Sequence, residues 1–283
     1  MASQSSCWRY WYGASKPWLI VPYLPISERI EFHKTLDSTN SQAMRWWQRQ
    51  FAKPVPARAN STDLLALFVT DTQTCGRGRQ GRIWHSPAAD DLYCSFAVRL
   101  DQHVSLDGLS LMIALAVRRA IESITGLRLG VKWPNDLYGE HHKLGGILIE
   151  CQQQSSWCLT IGIGINVNRI GNEQWSSLRQ ELGGPVCRVR LLAGITATLW
   201  DYLQRYLAFS WHDFIREWQG ADFLLNRKVS WQREQLHSGY ACGVTDKGLL
   251  RVKDEHGVTH ELNSGEVHLM VIATNTLAQS KNH

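Results

Sequence analysis

LLALFV at Leu64–Val69 runs directly into TDTQTCGRGRQGRIWHSP at Thr70–Pro87. The first six residues are apolar and read as a strand. The second stretch interleaves Gly76, Gly78 and Gly81 with Arg77, Arg79 and Arg82, and closes on Trp84. Glycine lets a backbone turn sharply or approach a ligand closely. Arginine presents a permanently charged fork suited to phosphate and carboxylate. Together they predict a loop, anchored on a strand, whose amides and guanidiniums can wrap an anion. A basic loop that contacts RNA, or is merely solvated, is the competing reading.

Downstream, Leu92–Leu100 (LYCSFAVRL) is apolar through both faces and reads as a central strand. Leu109, Met112, Ile113, Ala116, Val117, Ala120, Ile121 and Ile124 recur at helical spacing, an amphipathic helix ended by Gly126. Next come Val131-Lys132-Trp133-Pro134-Asn135-Asp136 and Lys143-Leu144-Gly145-Gly146-Ile147-Leu148-Ile149-Glu150. Pro134 drives Trp133 out of the helical region, so this is strand, tight corner, then hairpin. Lys132 and Asp136 at the corner read as a site or as a surface ion pair. Gly145-Gly146 at the opening of a strand implies a ligand or another backbone passing very near. Leu159–Val167 (LTIGIGINV) is a strand pressed against something on its glycine face, where Asn166 and Asn168 could point amides.

Upstream, Ser38-Thr39-Asn40 precedes a helical run through Trp47. It reads as an N-cap, or as polar groups that also face a ligand at the helix start. Pro54, Pro56 and Asn60-Ser61 mark a break before the first strand. A second helix covers Leu191–Tyr206, and a short aromatic one Trp211–Trp218, with Gly220 just past its end. From about Leu225, runs of four to six β-prone residues alternate with Asp/Gly turns, which predicts a small all-β barrel.

The 283 residues suffice for one large domain or two unequal ones, and 44% hydrophobic with 19% charged residues describes a globular chain. A net charge of +5 favours an anionic ligand or partner without marking a dedicated DNA-binding protein. Seven cysteines without a C-x-x-C pair argue for reduced thiols, a cytoplasmic location and no structural zinc. The longest apolar runs fall short of the roughly 20 residues of a membrane span.

GRGRQGRIW (76–84), KWPNDLY (132–138), KLGGILIE (143–150), IGIGINVN (161–168) and STN (38–40) together resemble the biotin protein ligases. The resemblance runs over residues 30–272. It implies an α+β fold, with a central mixed β-sheet flanked by helices of the class II aminoacyl-tRNA synthetase-like, biotin ligase type. It also implies a C-terminal SH3-like β-barrel. The domains expected are an extension at 1–27, a biotin- and ATP-binding catalytic domain at 28–222, the barrel at 223–275 and a polar tail at 276–283.

The implied reaction joins biotin to ATP as biotinyl-5′-AMP, then passes biotin to a lysine of a biotin carboxyl carrier protein. By matching motif positions, Ser38, Thr39, Asn40, Gln73, Gly76, Arg77, Gly78, Arg79, Trp84, Lys143 and Gly146 would line the biotin site. Arg79, Arg82, Trp84, Lys132, Asn135 and Asn166 would take ATP. Lys143, Arg79, Lys132 and Asp136 would be catalytic, Asp136 by orienting Lys132 or by meeting Mg²⁺ carried on the nucleotide. No metal site held by the protein itself is expected.

Cys75 stands where a small inert residue is expected, so its alkylation should slow the reaction. Gly145 should add room beside Gly146. The stretch before Ser38 holds Pro17, Pro22 and Pro25 and no helix-turn-helix pattern, which implies a monofunctional ligase that does not bind DNA. No membrane partner is expected, and the chain would be a monomer or homodimer. Lipoate or octanoate ligation is the alternative within enzymes, and a nucleic-acid-binding module the alternative outside them.

Overall fold

β1 (Ile26–Leu36) opens the chain's described part, which in this computed structural model comprises residues 26–51, 63–87, 90–172, 174–232, 235–263 and 267–270. The N-terminal extension before Ile26, the Pro54–Ser61 break and the polar tail, all expected from the sequence, lie outside those residues. The chain divides into two units. One ends at Phe223 but takes in Asp246–Gly248, and the other is Leu224–Thr245 with the residues from Leu249 on.

In the first unit β1 is followed by α1 (Thr39–Phe51), β2 (Asp63–Gln73), β3 (Leu92–Asp101), α2 (Leu109–Thr125), β4 (Gly130–Lys132), β5 (Asp136–Tyr138), β6 (Lys143–Gln153) and β7 (Ser156–Ile165). α3 (Leu178–Leu182), α4 (Arg188–Phe209) and α5 (Ile215–Ala221) complete it. The seven strands form one sheet in the order β1-β2-β3-β7-β6-β5-β4. β1 and β2 are parallel and every other pair is antiparallel, so the expected mixed sheet flanked by helices is present.

α1 lies on one face of that sheet. Its Ala43, Trp46 and Trp47 are buried with Leu65, Ala66, Phe68, Ala97 and Cys158. Full burial of each large apolar side chain contributes about 1.5–3 kcal/mol, so this seam holds the helix start firmly. Trp47 also donates from Nε1 to Leu159 O at 3.2 Å. α2 has the apolar spacing read from the sequence, but Leu111, Ala114 and Leu115 are buried as well, and it packs against β4, β5, β6 and α4. It ends at Gly126 in a left-handed conformation, φ +74°, which favours glycine. Gly220 lies inside α5 rather than beyond it. Among the described residues no helix is long and apolar enough to cross a membrane.

The second unit corrects the barrel expectation. β8 (Lys228–Gln232), β9 (Leu236–Val244), β10 (Leu250–Asp254), β11 (Thr259–Leu262) and β12 (Val267–Leu269) pair in the order β11-β10-β9-β8-β12. That sheet does not close, since β11 and β12 are its two outer strands. Closure requires tilted strands that pair along both sides, and outer strands of four and three residues supply little ladder. The short strands and Asp/Gly turns that suggested a barrel specify consecutive hairpins. An open run of hairpins from β8 to β11 meets the same pattern.

Candidate functional site

Parallel pairing of β1 with β2 sets their C-terminal ends side by side, with Leu36 beside Gln73. The chain leaves β1, turns at Asp37 and begins α1 at Thr39, so Ser38, Thr39 and Asn40 arrive next to Gln73. All three are buried. Thr39 N donates to Gln73 Oε1 at 2.9 Å, Gln73 Nε2 donates to Ser86 Oγ at 2.8 Å, and Ser86 Oγ donates to Trp84 O at 3.1 Å. The helix start is thereby tied to the far end of the Gly/Arg loop.

The sheet surface beneath is cleared by glycine. Asp136, Gly146, Gly164 and Tyr93 are cross-strand partners in one row across β5, β6, β7 and β3. A Cβ on Gly162 would lie 2.0 Å from Asn40 Oδ1, and one on Gly164 would lie 2.7 Å from the Trp84 ring. The predicted object on the glycine face of β7 is thus the pair Asn40 and Trp84. Ser95 Oγ donates to Asn40 Oδ1 at 2.6 Å, and Asn40 Nδ2 donates to Glu150 Oε2 at 2.8 Å. Trp84 Nε1 is buried without a hydrogen-bond partner among the described residues. A buried donor in that state carries a desolvation penalty of about 1–3 kcal/mol that an acceptor would relieve.

The loop over this surface is a small hairpin. Gly78 N donates to Arg82 O at 2.8 Å, and Trp84 N to Gly76 O at 2.9 Å. Gln80 and Gly81, at φ +56° and +74°, make its turn. Gly76 is fixed by close approach, because a Cβ there would meet Trp84 O at 2.3 Å.

Three cations, Lys143, Arg79 and Lys132, gather about one carboxylate here, that of Asp136. Lys143 Nζ lies 2.8 Å from Asp136 Oδ2 and 5.3 Å from the Trp84 ring centroid. Arg79 donates from Nη1 to Asn135 Oδ1 at 3.2 Å, and Asn135 is fixed by donating from Nδ2 to Ile147 O at 2.5 Å. Burial pushes the Arg79 guanidinium below its usual pKa, Asp136 opposes that shift, and Arg82 adds to it. Lys132 is pushed down the same way, by burial first, with Asp136 opposing and Lys143 and Arg82 adding. The cations penalise one another, and of Arg79, Lys132 and Lys143 only Lys143 is salt-bridged to Asp136. The arrangement favours an anion.

The residues singled out in the sequence make specific contacts, and one expectation, that for Gly145, is overturned. Asp136 is paired with Lys143 and not with Lys132, whose Nζ sits 5.6 Å from the Tyr138 ring centroid. Arg77 pairs with Glu150 Oε2 at 2.8 Å, the same oxygen that accepts from Asn40. Gly145 adds no room beside Gly146, because its missing Cβ would strike Ile165 Cδ1 at 2.6 Å on the other face. Asn166 donates from Nδ2 to Ser176 O and accepts at Oδ1 from Arg169, and Asn168 bonds Val186 through both ends of its own amide. Cys75 is exposed. Among the described residues no three His, Cys, Asp or Glu side chains gather as a metal site.

Sequence reasoning missed Ser86, Asp91, Ser95, Glu150 and Arg169. Glu150 closes the KLGGILIE motif, and its position on the strand that begins at Lys143 was the available signal. Ser95 becomes visible only through its register with Gly162.

Residues 57–168 match the Biotin/lipoate A/B protein ligase family. The bifunctional ligase/repressor BirA of Bacillus subtilis is 31% identical over 260 residues, covering 86% of this chain and 75% of that protein. BirA of Escherichia coli is 30% identical over 211 residues, 71% of this chain and 65% of its own length. The biotin protein ligase of Aquifex aeolicus, solved in complex with biotin and ATP, aligns with a TM-score of 0.69 at 27% identity, over 86% of this chain and 99% of its own. This chain belongs to the biotin protein ligase family.

Proposed function

We propose that the protein activates biotin with ATP and transfers it to a lysine of a biotin carboxyl carrier protein. A biotin carboxylate oxygen attacks the α-phosphorus of ATP, and pyrophosphate leaves. The carrier lysine amine then attacks the acyl carbon of biotinyl-5′-AMP, and AMP leaves. The first step brings two anions together, so positioning and cationic screening dominate it. The observation that carries this reading is the gathering of Arg79, Lys132 and Lys143 about Asp136, set beside the buried polar groups Ser38, Thr39 and Asn40.

In this reading Ser38, Thr39, Asn40, Gln73 and Arg77 serve the biotin head. Trp84, lying on Gly146 and Gly164, forms an apolar wall whose free Nε1 donates to the ligand. Gly76 and Gly78 shape the loop that covers it. Arg79 and Lys143 hold the carboxylate and then the acyl phosphate, while Arg82, Lys132, Asn135 and Asn166 serve the nucleotide. The residues present do not fit a Mg²⁺ ion held by the protein, since Asp136 is engaged by Lys143 and belongs to no group of three or more His, Cys, Asp or Glu side chains among the described residues. The metal would arrive on the nucleotide. Free cysteines favour a cytosolic setting.

The test is pyrophosphate release with ATP, a carrier domain, and either biotin or lipoate. Biotin should drive release and lipoate should not. Release driven by lipoate, or by neither acid, would remove the reading. Lys143→Ala should lower biotin-driven release about 100-fold, on the scale of losing one electrostatic transition-state contact.

A further inference from the structure

Beside the site lies a buried ionic hub that the proposed reaction leaves without a role. The Arg169 side chain is 14% exposed, and its Nε lies 2.8 Å from Oδ2 of Asp91, whose carboxylate is fully buried. That approach lacks the alignment of a hydrogen bond. Two of its other nitrogens do bond, Nη2 to Asn166 Oδ1 at 2.6 Å and Nη1 to His85 O at 3.3 Å. The guanidinium plane rests on Trp175, 4.0 Å from its ring centroid. Asp91 is held in turn, accepting from Val167 N at 2.7 Å and from Tyr93 Oη at 3.0 Å. One side chain therefore joins β7's exit, the stem of the Gly/Arg loop at His85, and the loop that carries Trp175.

The consequence falls on Asn166. A carboxamide can turn over by 180° unless its two ends meet different chemistry. Arginine only donates and a carbonyl only accepts. With Arg169 on Oδ1 and Ser176 O 3.0 Å from Nδ2, Asn166 has a single permitted orientation. In that orientation one Nδ2 hydrogen and one Oδ1 lone pair remain available to a third group.

We propose that Arg169, clamped by Asp91 and Trp175, is a positioning residue that presents the Asn166 carboxamide in one fixed orientation to the nucleotide. The assignment rests on Asn166 serving ATP. Arg169 acts through Asn166 and touches no reacting atom.

The test measures affinity for a non-hydrolysable ATP analogue and, separately, for biotin, by titration calorimetry on the full chain. Arg169→Met alone would leave Asp91 as an uncompensated buried charge, so it is combined with Asp91→Asn, which keeps an acceptor for Val167 N. The double variant should bind the ATP analogue about tenfold more weakly, the scale of one hydrogen bond, with biotin affinity unchanged. Arg169→Lys, which keeps the charge but reaches only one partner, should fall between the two. Unchanged nucleotide affinity in a folded double variant overturns the proposal, and so does an equal loss for both ligands. Should the double variant not fold, native nucleotide affinity in Arg169→Lys overturns it. A wild-type chain that binds the ATP analogue but not biotin would count against the proposed function alone, with the nucleotide measurements still judging Arg169.

Discussion

Glycine does opposite work on the two sides of the site. On β6 and β7 it clears space within a ladder bonded on both sides, so Gly146, Gly162 and Gly164 sit in a surface that cannot yield. In the Gly/Arg loop Gly81 makes the turn at φ +74°, and the hairpin there is held by a few bonds between Gly76 and Trp84. A bed that excludes side chains faces a cover held by few bonds. Such a pairing suits a reaction whose activated intermediate must be shielded from water and then released to a large acceptor.

Three substitutions would break or sharpen that contrast. Gly162→Ala strikes the bed. Its methyl would come within 2.0 Å of Asn40 Oδ1, and Asn40 is buried and held by Ser95 and Glu150. The expected cost is about 1–3 kcal/mol, as for overpacked cores, read as a lower urea midpoint together with weaker biotin binding. A native midpoint would mean the bed can yield. Arg79→Gly strikes the cover instead. It loses the bond to Asn135, so biotinyl-adenylate should dissociate about tenfold faster, one contact's worth, while pyrophosphate release stays measurable. Unchanged dissociation would deny the loop a retaining role. Gly78→Ala is the control. At φ −107° any residue is accommodated, and the nearest atom to an added Cβ is 3.5 Å away. Its thermal midpoint should move by less than about 0.5 kcal/mol equivalent, and a larger shift would show the cover to be as rigid as the bed.

Periodicity made much of the fold legible. The spacing from Leu109 to Ile124 specified α2, and the glycine alternation of LTIGIGINV specified a strand with one face pressed. Register was not legible. Only the pairing of Ser95 with Gly162, and of Gly146 with Gly164, reveals which residues share a face. For the same reason the sequence alone reads Gly145 as adding room beside Gly146, although a Cβ there would point to the opposite side of the sheet. Charge pairing was equally hidden. Lys132, Asp136 and Lys143 stand close enough in sequence for either lysine to hold the carboxylate, and the hairpin geometry selects Lys143. The barrel expectation failed for a related reason, since strand lengths and turns fix neighbours but leave closure open.

The two ends of the seven-stranded sheet are finished in different ways. Beyond β4, the chain returns to bridge Val131 with Asp222, and Phe223 N donates to Val131 O at 3.0 Å, so that edge is occupied. At β1, Arg29, Glu31 and His33 recur at every second position, Arg29 pairing with Glu31 and Glu31 hydrogen-bonded to His33. Charged side chains along an outer strand discourage a further strand from docking. On the proposed function, a protein that meets a carrier chain to deliver its product thus has, on the outer strand of the described sheet, a device that resists recruiting one by backbone pairing.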